Sequence, residues 1–530
     1  MKCSVFATIA TSSAWNDLFG LMWSLSKNHP RSDLYLRCDN EIEEKVRQLS
    51  DYLPLTIHTD NALQEFSGKN RAYMEAEGSW LRFMAAKADV MLAALESNNN
   101  VLFLDCDIVV LRPIYIDERA NPDIALSPHF IRKEFIDEYG YFNGGVFWSK
   151  SIEAVKRWRD LMPASRYYDQ ACLENIAREF RCHELDKTHN LSWWRIYQSD
   201  QRPGDELNRL SINSIGELCF DDVAVNFVHT HFSVQEGTIG AFNREIIRLV
   251  MTGSETWLKI LLLRLARGHF DVFIPLQPRA GIWNHRNDSF RELAQLWQEA
   301  GLCQSHEIDN NHCWFGHVGG VALYDRPTFE WWDDEIDNAE MVLCGNVRPI
   351  HEKCRPWIFW PRRPRIYNET REKLIKESLR TNESVFIGNV ENDVQERYRS
   401  SADWSTAITD FSLINSTKHV FSQQEYLQRL ANSKFGLCLR GYGAKCHREV
   451  ELMGLGVVPV VTREVDVSSY LNPISSDHHY LSTQSPEGLA ASIQVSEHER
   501  MQRAEKCLQW YEKYCSVKGS FLSTLSSIFR

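Results

Sequence analysis

The 530-residue sequence contains no run of about 18 uninterrupted apolar residues, the length a membrane-spanning helix requires. The nearest approach, WLKILLLRLARG at 257–268, carries Lys259, Arg264 and Arg267 and reads as a packed helix. Among 14 cysteines there is no CxxC pair and no zinc-like spacing, which excludes a zinc-finger framework. The opening MKCSVFATIATSSAW is too short and too polar for a secretion signal. Reduced thiols and a cytoplasmic location are therefore expected. Positive charge is not in excess: the net charge is −12, which argues against nucleic acid as a partner. No repeat recurs at solenoid periods. With 43% hydrophobic and 25% charged residues, the composition is that of an ordinary globular protein rather than a disordered one. The length suggests about two to four domains.

The chain alternates strand and helix patterns, which predicts a mostly parallel sheet covered on both faces. Strands are expected at 4–10, 33–38, 54–58 and 101–105, with helices at 15–27, 40–50 and about 80–97. The pattern restarts near 268 with HFDVFIPLQP (269–278) and a helix at 288–302, continues through AEMVLCGNVRP (339–349), and restarts again at SVFIGNVEND (384–393). The segment CRPWIFWPRRPRIYNE (354–369) is rich in Pro and Arg and is expected to break regular structure. The expected plan is an α/β domain at 1–262, followed by a two-lobed α/β unit with lobes at 268–375 and 376–530.

In VLFLDCDIVVLRP (101–113), an apolar run leads straight into Asp105 and Asp107. Side chains at i and i+2 of an extended strand share a side, so the pair suits one hard cation. They fall where a strand ends, which is where open α/β sheets bind ligands. Buried without a cation or donors, two such carboxylates would be costly. A strand-end turn with two solvated aspartates would carry the same letters, so the neighbouring motifs decide. Asn143-Gly144-Gly145 open a strand in YFNGGVFWSKS, and the glycines let a ligand approach the backbone. Asp169 and Gln170 stand at a helix start in YYDQACLENI. VNFVHTHFSVQEG ends a strand with His229 and His231, and an amphipathic helix upstream carries Arg82 and Lys87. The first strand, FATIATSSAW, ends in small hydroxyl residues; Thr8 and Thr11 are candidates to cradle a nucleotide there.

This order of motifs, across roughly residues 3–245, resembles the retaining, metal-dependent nucleotide-sugar glycosyltransferases of the GT-A fold: the glycogenin and bacterial galactosyltransferase group and its plant cell-wall relatives. In that group a helix with a basic residue precedes VLYLDxD, then FNxG, DQD and a histidine followed by an aromatic. The resemblance implies Mn²⁺, with Mg²⁺ as the alternative ion, held by Asp105, Asp107 and His231 against the donor diphosphate. His231 is favoured over His229 because Phe232 follows it. The resemblance also implies that Asn143 and Gly144 line the sugar pocket, Asp169 binds donor hydroxyls and Gln170 faces the anomeric carbon. Arg82 fits the bacterial pattern for the basic partner and Lys87 the plant-like spacing. Two departures stand out: DQA replaces DQD, and no Lys-Pro-Trp follows the histidine. A mixed oxygen and imidazole ligand set favours Mn²⁺ over Mg²⁺.

In the second half, SKFGLCLRGYGAKCHREVELMGLGVVPVV (433–461) reads as a buried strand, a glycine loop, a helix from about 445 to 454 and another buried strand. Gly441 and Gly443 free backbone N–H groups at a helix start, which suits a phosphate. Arg448 and Glu451 share one helix face. The stretch resembles the C-terminal lobe of exostosin-family glycosyltransferases, with their CxRGxG…RxxEAxxxGxxPV pattern and GT-B fold. That implies diphosphate contacts from Arg448, with Arg440 as a second, and a ribose contact from Glu451. No DxD stands at a strand end here, consistent with metal-independent GT-B chemistry.

Simpler readings attach to other features. His312 and His317, in a Trp- and Gly-rich loop, read as polar surface; WWDDEID (331–337) reads as a solvated helix start; PRRPR (361–365) reads as a linker between lobes. Taken together, the sequence predicts a bifunctional enzyme. A retaining, Mn²⁺-dependent GT-A domain would be fused to an inverting, metal-independent GT-B domain, adding two sugars from UDP- or GDP-linked donors to a glycan acceptor. The alternatives are one active domain beside a degenerate acceptor-binding half, and a metal phosphohydrolase using Asp105 and Asp107. The last would need further acids or histidines clustered near 105 in the sequence.

Overall fold

The computed structural model describes residues 1–117, 119, 121–253, 255–275, 284–308, 314–315, 321–324, 339–345, 348–349, 351–416, 420–441 and 443–530. His312, His317 and the acidic run 331–337 lie outside the described residues. The chain divides into two compact units, Met1–Gly268 with Phe529–Arg530, and His269–Ile528.

In the first unit the strands are β1 (Val5–Ala10), β2 (Asp33–Cys38), β3 (Thr56–Asp60), β4 (Val101–Leu104), β5 (Ile108–Val110), β6 (Ile124–Pro128), β7 (Phe142–Ser149) and β8 (Cys182–Glu184). β9 (Leu210–Ile212), β10 (Leu218–Phe220), β11 (Val223–Ala224) and β12 (Phe227–His229) follow. Seven form a sheet of order β3-β2-β1-β4-β7-β6-β8. β1 runs parallel to β2 and β4, whereas β7 is antiparallel to both β4 and β6. VLFL in β4 and all eight residues of β7 are buried, as expected of strands covered on both faces. The helix Trp80–Leu95 packs its buried Ala86, Ala88, Val90 and Met91 into the core with Val5, Ala7 and Phe103. Lys87 lies buried within the same helix.

After β4 the chain turns and re-enters as β5, which leaves the main sheet and pairs antiparallel with β12. The register sets His229 opposite Ile108. Residues more than 100 positions apart in sequence thus meet beside Asp107. The apolar segment at 257–268 is the helix Thr256–Arg267, closed by Gly268 in the left-handed region at φ 81°. Among the described residues, no helix is long and apolar enough to cross a membrane.

The second unit contains two sheets among its described residues. β13 (Phe270–Pro275), β14 (Cys303–Ile308), β15 (Trp314–Phe315), β16 (Val321–Tyr324), β17 (Met341–Cys344) and β18 (Cys354–Pro356) are ordered β14-β13-β15-β16-β17-β18, with β15 antiparallel to β13 and β16. β19 (Asn382–Val390), β20 (Asp410–Asn415), β21 (Ser433–Cys438), β22 (Val458–Thr462) and β23 (Leu481–Thr483) form an all-parallel sheet of order β20-β19-β21-β22-β23. The Pro- and Arg-rich segment is less irregular than expected. Pro364 opens the helix Pro364–Glu377, because a proline at the first helical position gives up only an N–H that would be unpaired anyway. The helix His447–Gly454 joins β21 to β22.

Candidate active site

Asp105 sits one residue beyond β4, and its backbone N–H donates to the Gly145 carbonyl at 2.8 Å. That bond fixes the carboxylate at the seam of β4 and β7. Asp107 follows at the start of β5, and its carbonyl accepts from Thr230 N–H at 3.1 Å. His229 Nε2 lies 3.1 Å from Asp107 Oδ1 and 3.9 Å from Asp105 Oδ2. His231 Nε2 lies 3.4 Å from Asp107 Oδ2, while its Nδ1 meets Asp17 Oδ2 at 2.9 Å. Each oxygen of Asp107 therefore faces an imidazole.

Lys87 closes the other side. Its Nζ is 2.9 Å from Asp105 Oδ1 and 2.9 Å from Asp169 Oδ2, and it donates to the Gly144 carbonyl at 3.3 Å. Burial pulls the ammonium down, but Asp105 and Asp169 outweigh it and hold it above the usual lysine range. Burial pushes the Asp105 carboxyl up against the pull of Lys87 and His229. Burial acts the same way on Asp107, yet His229 and His231 overcome it and leave that carboxyl below its usual range. Asp107 and then Asp17 raise His231 to about 10. Half of the His231 side chain is exposed, at 52%, so solvent screens part of that effect.

The two glycines of β7 make this packing possible. A Cβ at Gly144 would lie 2.2 Å from Asp169 Oδ2, and one at Gly145 would lie 2.5 Å from both Asp105 Oδ2 and His229 Cε1. Gln170 Oε1 accepts from Asn143 Nδ2 at 3.1 Å and from Gly144 N–H at 3.3 Å. Ala171, which replaces the last acid of DQD, is buried, with its Cα 2.8 Å from where a Cβ at Gly140 would stand.

The structure thus brings together Asp105, Asp107, Lys87, Asn143, Gly144, Asp169 and Gln170. Among the described residues, the ligand atoms that come within 4.8 Å of one another belong to Asp105, Asp107 and His229. The sequence reading prefers His231, but β12 carries His229 to the carboxylates and Gly145 leaves room for its ring. Two carboxylates and an imidazole suit Mn²⁺ by donor type. Of the two basic candidates, Lys87 joins the cluster, whereas Arg82 pairs with Glu65 at 3.0 Å on the surface. Thr8 is wholly buried within β1, its hydroxyl unpartnered among the described residues, and Thr11 is 3% exposed with its hydroxyl 3.2 Å from that of Ser13. Neither presents the open cradle expected of it. The sequence reading missed Asn190, His129 and Asp17. Asn190 is fully buried in the left-handed region at φ 64°, and an asparagine in THN is the local signal for such a conformation.

In the second unit, Arg448 is 7% exposed. Its Nη2 donates to the Ile387 carbonyl at 2.5 Å, while its Nε and Nη1 have no partner among the described residues. Arg399 is equally buried, and burial, then Arg448, pushes it down to about 10. Arg440 lies over the Tyr398 ring at 5.1 Å, with its Nε unpartnered among the described residues. Glu451 differs from expectation. Its Oε1 accepts from Arg362 N–H at 2.9 Å and its Oε2 from the Tyr426 hydroxyl at 2.7 Å, so both oxygens are used inside the unit.

Residues 34–232, well under half of the chain, match the model of the nucleotide-diphospho-sugar transferase family. The Asp105–Asp107–His229 cluster lies within that match. The N-terminal region is thus a nucleotide-sugar transferase domain, and the enzyme is a glycosyltransferase. No curated protein matches the chain significantly. Similar solved structures include the glycosyltransferase GlyE of Streptococcus pneumoniae TIGR4, at 9% identity over 93% of this chain and 98% of that one, with a TM-score of 0.33. Mouse xyloside xylosyltransferase 1 aligns at 14% identity over 42% of this chain and 96% of that one, with a TM-score of 0.28. The galactosyltransferase LgtC aligns at 13% identity over 47% and 95%, with a TM-score of 0.29.

Proposed function

We propose, from the premise that residues 34–232 form a nucleotide-sugar transferase domain, that the first unit moves a sugar from a UDP- or GDP-linked donor to a glycan acceptor with retention of configuration. Mn²⁺, with Mg²⁺ as the alternative, would be held by Asp105, Asp107 and His229, with His231 at the second oxygen of Asp107. The observation that carries this reading is the gathering of Asp105, Asp107 and His229 around one point, with Lys87 the cation on the far side of Asp105. When bound, the divalent cation stabilises the charge that grows on the departing diphosphate. Lys87 fixes Asp105 and Asp169 in place, and Asp169 binds donor hydroxyls through the oxygen turned away from Lys87. Asn143 and Gly144 line the sugar pocket, and Gln170 lies at the anomeric carbon. Retention is supported by the state of the nearby acids: Asp105 and Asp169 are both tied to Lys87 and poorly suited to act as a general base.

The second unit is read as a GT-B transferase of exostosin type that adds the next sugar with inversion and without a metal. Two nitrogens of buried Arg448 without a partner among the described residues, beside Arg399, support an anionic ligand there. A second reading, in which this half is a degenerate acceptor-binding module, is favoured by Glu451, whose oxygens are both engaged internally.

The test is donor hydrolysis and transfer by the full chain across a panel of UDP- and GDP-sugars. Asp107→Ala and EDTA should each abolish the divalent-dependent activity, and NMR of the first product should show retention. Full activity in EDTA would reject the metal reading, and an inverted product would reject the retaining one.

A further inference from the structure

The polarity of the buried amides beside the acidic cluster follows from one backbone group. Gly145 N–H can only donate, so the Asn143 side-chain atom 2.9 Å away is the oxygen. Asn143 Nδ2 then points to Gln170 Oε1 and, at 3.2 Å, to His129 Nε2. His129 accepts there as a neutral ring: its Nδ1–H donates to the Gly140 carbonyl at 2.9 Å, and burial pushes its pKa down to about 4. Because Asn143 presents oxygen, the Asn190 atom 3.0 Å from it must be the NH₂. The other end of Asn190 is therefore oxygen, and it lies 2.7 Å from His229 Nδ1. Nδ1 must carry the hydrogen. Nε2 is then the nitrogen that His229 turns toward Asp107 Oδ1 and Asp105 Oδ2. Between those carboxylates it either donates a proton as an imidazolium or offers its lone pair to a metal cation that takes the proton's place, and an imidazole fixed through its other nitrogen is the usual state of a metal-bound histidine.

We propose that Asn190 is the positioning residue of this site: it fixes the tautomer and orientation of His229 so that Nε2 faces a divalent cation shared with Asp105 and Asp107. The inference rests on the metal-dependent reading above. Asn190 is fully buried, and its left-handed backbone is one that Asn, Asp and Gly adopt readily. Two substitutions therefore alter the side chain without imposing backbone strain. Asn190→Gly removes the acceptor for His229. Asn190→Asp keeps an acceptor there while giving up the bond to Asn143.

The experiment measures Mn²⁺ affinity of the full chain from the EPR signal of free Mn²⁺, with no substrate present and with circular dichroism confirming the fold of each variant. Asn190→Gly should weaken Mn²⁺ binding roughly 10- to 100-fold, while Asn190→Asp stays within about threefold of the unsubstituted protein. Unchanged affinity in Asn190→Gly would overturn the proposal. So would an Asn190→Asp variant that falls as far as Asn190→Gly, because the loss would then come from the bond to Asn143. Equal Mn²⁺ binding by the unsubstituted protein and Asp107→Ala, or none by either, would instead show that the metal reading itself is wrong, and the inference would fall with it.

Discussion

Lys87 Nζ lies 2.9 Å from Asp169 Oδ2, joining a residue of the helix Trp80–Leu95 to one that follows the tyrosines at 167 and 168. Both side chains are 6% exposed, and the same ammonium also holds Asp105. Removing one partner of a buried ion pair leaves a charge that water does not reach. Lys87→Met should therefore destabilise the first unit by about 3–5 kcal/mol. Adding Asp169→Asn should recover part of that loss. Guanidinium unfolding followed by tryptophan fluorescence checks both variants. A cost well under 1 kcal/mol for Lys87→Met would mean that the pair is solvated rather than buried.

The two glycines of β7 should separate two functions. The methyl of Gly145→Ala would enter the space of Asp105 Oδ2 and His229 Cε1, so Mn²⁺ affinity should fall about tenfold or more. The methyl of Gly144→Ala would press on Asp169 Oδ2 and on Gln170 Cγ, 2.9 Å away. Mn²⁺ affinity should then be largely kept while donor turnover drops. Mn²⁺ titration alongside donor hydrolysis checks the contrast, and equal losses of Mn²⁺ affinity in both variants would contradict it.

Much of this site could be read from one strand and its neighbours. VLFL followed by two aspartates marked the end of β4 because a fully buried run cannot continue through carboxylates without a partner. Asn143-Gly144-Gly145 marked a close approach, which the structure shows to be that of Asp169 and His229 to the β7 backbone. That His229 is the histidine which approaches both carboxylates is not legible in the sequence, since it depends on the antiparallel register of β5 with β12, a pairing across more than 100 residues. Arg82 and Lys87 were ambiguous for a similar reason: an amphipathic pattern places both on the helix but does not say which faces Asp105. Asn190 carries no such signal, because its bonds to Asn143 and His229 join remote segments with no sequence spacing of their own. Glu451 shared a helix face with Arg448 as expected, but the Tyr426 hydroxyl and Arg362 N–H that bind it come from remote segments.

Glu449 gives the second unit a pH-dependent stability. Its Oε2 accepts from Cys446 N–H at 2.6 Å, its Oε1 has no partner among the described residues, and the residue is fully buried. Burial pushes its pKa from 4.5 up to about 7, against the opposing pull of Arg448. The folded state therefore binds this proton more tightly than the unfolded chain. The stabilisation is fully present below the unfolded pKa and is lost as pH rises toward the folded one, between 4.5 and about 7. The loss is on the order of 3 kcal/mol at 1.36 kcal/mol per pKa unit. Glu449→Gln should flatten the dependence across that window. Urea unfolding of both proteins at roughly pH 5 and pH 8 checks it, and parallel pH profiles would rule out Glu449 as the source.

Arg448 tests whether the second unit is a separate enzyme. Its guanidinium lies 4.4 Å from the Phe386 ring centre and donates from Nη2 to Ile387, and its Nε and Nη1 have no partner among the described residues. Losing one charge-assisted contact to a diphosphate should cost about 1.5–3 kcal/mol. That is roughly a ten- to hundredfold loss in the second transfer. On the proposed two-enzyme reading the first transfer draws on residues of the other unit, so Arg448→Ala should leave it intact and accumulate a product one sugar longer than the acceptor. Asp107→Ala should stop the first transfer and leave the second active on an acceptor already carrying the first sugar. Arg448→Lys separates charge from packing: it keeps a cation but loses the planar fork, so activity should be partly restored if a diphosphate is bound and not if the arginine only packs on Phe386. Chromatography of labelled products from the full chain reads all three variants. If Arg448→Ala silences both additions or neither, the second unit does not carry an independent transfer, and the acceptor-binding reading that Glu451 favours takes its place.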